Sequence, residues 1–126
     1  MVRDGGERPS WGITKAAATG RICLRFVGPT RTSEVPDFLR ALSEMMPAED
    51  ANVIFDLRGL VGHNPETKEP IKKWLLQNKT RIAEITVIVN KSGAMHKMVT
   101  AVIALATGVK IRIRDNIDDS VSVANV

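Results

Sequence analysis

Asn52-Val53-Ile54-Phe55-Asp56-Leu57-Arg58-Gly59-Leu60 decides the fold. Its first part is a nearly continuous apolar run interrupted only by Asp56, with no polar residue at every second position. A strand with one wet face alternates; one covered on both faces does not, and central strands of parallel sheets are of the second kind. The segment Arg58 to Thr67, with Gly59 and Gly62, reads as a loop leading into a helix.

Working outward, the chain alternates strand and helix on both sides of this run. Upstream, Val35, Phe38, Leu39, Leu42, Met45 and Met46 recur at mostly three- and four-residue steps, the stripe of a helix laid on a sheet. Ser33 is placed to cap it, Pro36 falls in its first turn, and Pro47 stops it. Before it, Arg21 to Val27 is a strand ended by Gly28-Pro29. Trp11 to Ala18 with the turn Thr19-Gly20 makes a preceding hairpin-like partner. Downstream, a helix capped by Thr67 would hold Pro70 in its first turn and bury Ile71, Trp74, Leu75 and Ile82. Asn64-Pro65 is the competing start, but it would put Pro70 in the helix interior.

A strand Ile85–Asn90, a helix from about Ala94 to Thr107 closed by Gly108, and a strand Val109–Arg114 follow. The last alternates apolar and cationic residues, the pattern of an edge strand. A short helix starting at Asp118 or Asp119 completes the order β-β-α-β-α-β-α-β-(α). Such alternation implies a mostly parallel sheet of about five strands with three to four helices. Residues 1–10 read as a disordered leader and 11–126 as one domain.

Composition limits the function. At 126 residues with 44% hydrophobic content, one sizeable core is affordable without metals or disulfides. The single cysteine, Cys23, stands between Ile22 and Leu24 and reads as a buried hydrophobe. No run reaches the roughly 18 apolar residues of a membrane span, and the first residues lack the apolar centre of a signal peptide. Both point to the cytoplasm. The net charge of +4 is spread along the chain, and most of the five aromatic residues fall in core-like positions. A nucleic-acid surface with stacking side chains is therefore not expected.

The leading strand pair, the strand exit Asp56-Leu57-Arg58-Gly59-Leu60, and Thr107-Gly108 before an edge strand together resemble the STAS fold, in particular the SpoIIAA-like family of anti-sigma-factor antagonists. The resemblance covers roughly residues 11 to 124. It implies a non-enzymatic regulatory or scaffolding domain that binds a protein partner, a regulatory protein or kinase-like antagonist, with homodimerisation as a further expectation. The architecture is in turn similar to CRAL-TRIO lipid-transfer domains, which implies the alternative of a carrier for a lipid or other apolar small ligand. Family members carry Asp-Ser-Ser-Gly with a phosphorylated serine where this chain has Asn64-Pro65-Glu66-Thr67. No hydroxyl occupies the matching position, which leaves Thr67 as a displaced phosphoacceptor or, more simply, a helix cap.

Other constellations are weaker. His63 lies on the loop and His96 in the third helix, but no Cys or paired carboxylate stands at ligand spacing, so no metal or cofactor is expected. Ser92 precedes His96 by one helical turn. The G-x-S-x-G elbow and a third triad member are missing, so Ser92 reads as a cap rather than a nucleophile. Asp56 would be a base only if desolvated and unpaired; pairing with Arg58 or another cation is the commoner fate. The expected partner-binding residues are Arg58, Leu60, Val61, His63, Asn64 and Thr67, with Ser92 from the neighbouring loop. A protein-binding module should show exposed apolar surface there. A carrier should enclose at least about 300 Å³.

Overall fold

The computed structural model describes residues 10–62, 64–90, 100, 101, 103, 104 and 107–114. Its strands are β1 (Trp11–Lys15), β2 (Ile22–Gly28), β3 (Ala51–Leu60), β4 (Ile82–Ile88) and β5 (Ile111–Arg114), hydrogen-bonded in that order. Helices α1 (Val35–Met45) and α2 (Lys68–Asn78) connect β2 to β3 and β3 to β4, each entered through a 3-10 turn. Five strands and the edge position of β5 match the sequence reading. The sheet is mixed: β2 to β5 pair parallel, in part the mostly parallel sheet expected, and β1 pairs antiparallel. The short connection after Lys15 turns β1 back on β2, and a hairpin can only pair antiparallel. The crossovers through α1 and α2 place β2, β3 and β4 parallel, and β5 continues in that sense. Between β4 and β5, Thr100, Ala101, Ile103, Ala104 and Thr107 are helical. Gly108, at φ 75°, ends that turn with its N–H on the Ala104 carbonyl. The rest of the expected third helix, the expected tail helix and residues 1–9 of the expected leader lie outside the described residues.

Side-chain alternation divides the sheet into two faces. Ile22, Leu24 and Phe26 of β2, Val53 of β3, and Ile85 and Val87 of β4 are buried beneath Phe38, Leu39 and Leu42 of α1 and Trp74 and Leu75 of α2. Phe26 sits at the centre, edge-on to Phe38 (centroids 5.1 Å apart) and to Phe55 (6.4 Å). The other face carries a smaller apolar cluster, Cys23, Ile54 and Ile88. β3 is thus lined on both sides, as its apolar run predicts, and Cys23 is buried as expected.

Three local readings are corrected. The strand expected to end at Leu57 continues to Leu60, because Gly59 and Leu60 still pair with Val27 and Gly28; Arg58 and Leu60 belong to a strand, not a loop. Ile82, read as part of the second helix's stripe, opens β4 opposite Ala51, because the turn Lys79–Arg81 ends the helix first. Ser33 does not cap α1. It lies in the preceding turn, and α1 has no side-chain cap. The carboxylate of Glu34 is held instead by the N–H and hydroxyl of Ser10, and by the N–H of Arg31. Ser10 is buried in this contact.

Candidate functional site

Parallel strands deliver their following loops to one edge of a sheet, and ligands of open α/β folds are taken up there. In this chain the β2–α1 and β3–α2 segments meet at that edge. Val61 donates its N–H to the Gly28 carbonyl. Asn64 ties the two segments side by side: its Nδ2 donates to the Thr30 carbonyl (3.1 Å) and to Thr32 Oγ1 (3.2 Å), while its Oδ1 accepts from the Glu66 N–H (3.0 Å). Thr32 Oγ1 in turn donates to Glu66 Oε1 at 3.0 Å.

Asn64 is therefore the cap of the 3-10 turn Pro65–Thr67, with Pro65 in first position. Thr67 sits at the start of α2, with Pro70 in its first turn as expected. Its hydroxyl does not cap, however; it donates back to the Asn64 carbonyl at 2.8 Å. Both competing helix starts exist in sequence, the first as a 3-10 turn and the second as the α-helix proper.

Between the joined segments lies an open groove of about 390 Å³, lined by Pro29, Thr30, Leu60, Val61, Asn64 and Thr67 among others. Val61 is 63% exposed, and Val27, at the end of β2, is 61% exposed. The two exposed valines stand at adjoining strand ends. Leu60, Val61, Asn64 and Thr67 are thus brought together. Arg58 is not part of this surface. His63 and Ser92 lie outside the described residues, as do His96 and the Ser92–His96 pairing. Sequence reasoning missed Val27, Pro29 and Thr30. Gly28-Pro29 was legible only as a strand end, although two parallel neighbours must end at the same edge.

Beneath the groove, between the sheet and the helices, is an apolar cavity of about 110 Å³. Phe55, Leu57, Ile71, Leu75 and Ile103 contribute to its wall, and Thr30, Leu60 and Thr67 line it and the groove alike. This is well under the volume expected of a lipid carrier. Lys68, half-buried at the start of α2, is the charged member of its described lining.

Arg58 points to the opposite sheet face. Its Nε and Nη2 grip Asp56 Oδ1 and Oδ2 at 2.9 and 2.8 Å, its N–H adds 3.1 Å, and Arg25 Nε approaches Oδ2 at 3.3 Å. Burial pushes the Asp56 carboxyl up, but the Arg58 hydrogen bonds and the charges of Arg58 and Arg25 outweigh it and hold the pKa below its ordinary value. Asp56 is a paired carboxylate, not a free base. Burial also raises the Cys23 thiol, and the nearby Asp56 charge adds to that, which disfavours the reactive thiolate.

Among the described residues no three His, Cys, Asp or Glu side chains converge as metal ligands, and no helix is long and apolar enough to cross a membrane. Phe26, Phe38 and Trp74 are buried in the core, which removes them as stacking surfaces.

No family model and no curated protein matches the chain. Among solved structures, it is similar to an uncharacterised DUF3478-family protein from Shewanella loihica PV-4, described as having a SpoIIAA-like fold. The similarity has a TM-score of 0.64 at 13% identity and covers 96% of this chain and 98% of that one. The chain has a SpoIIAA-like fold, as its sequence resemblance implied.

Proposed function

We propose that this domain is a cytoplasmic, non-enzymatic interaction module that docks a protein partner at the carboxyl edge of its sheet, in the groove between the β2–α1 and β3–α2 segments. The observation that carries the reading is the exposed Val61 in the lining of a groove whose two walls are cross-linked by Asn64. Solvated aliphatic side chains on a braced rim suit a partner that inserts an apolar side chain. A second copy of the chain is an occupant of the same kind. Thr67, in the groove wall, is the hydroxyl at which a phosphate would add charge to this surface.

The test is affinity purification from the native cell with wild type, Val61→Asp and Leu76→Asp, the last altering an exposed leucine on α2. A partner retained by wild type and Leu76→Asp but lost with Val61→Asp supports the reading. An unchanged set of partners on folded Val61→Asp refutes it. Mass spectrometry of the same material reports whether Thr67 carries phosphate.

A further inference from the structure

The inner cavity has a chemistry that docking at the groove does not use. Its described lining is mostly rings and branched aliphatics from the sheet and helices, and at about 110 Å³ it is smaller than the roughly 150 Å³ apolar cavity in which a benzene ring is known to bind. A lipid tail is too long for it; one ring or a short branched chain is the size class that matches. Thr30, Leu60 and Thr67, which it shares with the open groove, are the side on which it adjoins that groove.

Beside Thr67 stands Lys68, half-buried and in no ion pair with a described residue. Glu66 is engaged by Thr32, and Glu69 is exposed. An apolar chamber whose described lining includes a single lysine can select amphiphiles by charge: the apolar end enters and an anionic head stays with the cation and threonine hydroxyls.

We infer that the cavity under the groove is a binding site for a small monoanionic amphiphile, a ring-sized or short branched carboxylate, with its apolar part against Leu57, Ile71 and Leu75 and its carboxylate on Lys68. The site does not require that the groove bind a protein.

Titration of the full chain with benzoate, benzyl alcohol and benzylamine, followed by methyl-detected NMR, tests it. Benzoate is expected to shift the methyl signals of Leu57, Ile71 and Leu75 saturably and to bind at least tenfold more tightly than benzylamine. Lys68→Gln should weaken benzoate about five- to tenfold and leave benzyl alcohol unchanged. Ile71→Trp should fill the chamber and abolish binding of all three; if that variant does not fold, Leu60→Phe blocks from the other wall. Absence of saturable shifts, shifts that survive a folded filling variant, equal affinity for benzoate and benzylamine, or benzoate binding indifferent to Lys68→Gln would each overturn the inference.

Discussion

Asn64 Nδ2 donates to the carbonyl oxygen of Thr30 across 34 residues of sequence, at 3.1 Å, and so joins the two segments that wall the groove. The same side chain caps the turn that launches α2. One amide thus sets both the width of the groove and the entry angle of the helix.

Replacing Asn64 by Ala removes all three of these bonds together. Loss of a capping side chain costs about 1–2 kcal/mol, and the Thr30 carbonyl loses its amide donor. Chemical denaturation should show that loss of stability, and hydrogen exchange should accelerate at the Glu66 N–H, the donor that Asn64 accepts from. An unchanged Glu66 exchange rate would show that the brace is not formed in solution.

Asp56 supplies a pH dependence of defined sign. Its pKa is lowered in the folded state, so it releases its proton more readily there than in the unfolded chain. The stability it contributes is full above the ordinary carboxylate range and is lost as pH falls below about 4 toward the lower folded value. Asp56→Asn should lose about 1–3 kcal/mol at pH 7, because two arginines keep their positions without a counter-charge. It should also show a shallower loss between pH 5 and pH 2 in urea titrations. Some acid sensitivity remains in that variant: burial raises the Glu34 carboxyl, but hydrogen bonds from Ser10 and Arg31 lower it further.

Gly59 is required by close approach rather than by backbone dihedral. A Cβ at this position would lie 2.7 Å from the Phe26 carbonyl oxygen, a backbone atom that cannot step aside. Gly59→Ala should therefore cost about 1–3 kcal/mol, read as a lower denaturation midpoint. Because Gly59 pairs with Val27, the variant should also disturb the exposed valine rim.

What the sequence made legible is what depends on near neighbours. The unalternating run at Asn52–Leu57, the helix stripe through Phe38 and Leu42, the Asp56–Arg58 pairing and the glycine stop at 108 all follow from residues within a turn or two of each other. What stayed hidden depends on distant partners. Arg81 donates to the carbonyls of Ser43 and Met46, both at 2.9 Å, and so caps α1 from beyond α2. No local pattern around Arg81 announces that. Ser33 is a good cap by type, yet the turn before α1 is built around Glu34, whose partner Ser10 lies 24 residues away. In the groove lining, Val61, Asn64 and Thr67 lie on the segment that the sequence marks as following a buried strand, and Leu60 closes that strand. Thr30 and Val27 were not legible, because their part comes from the parallel pairing that sets the two strand ends side by side.

Thr30, Leu60 and Thr67 are common to the outer groove and the inner cavity. Two occupants that press on the same three side chains are coupled wherever one shifts those side chains for the other. If a ring in the chamber moves Leu60 outward, it alters the fit of whatever lies in the groove. The factor by which the small molecule changes the partner's affinity is then the factor by which the partner changes the small molecule's. A shared wall of this kind would make the two proposed sites a single reciprocal sensor.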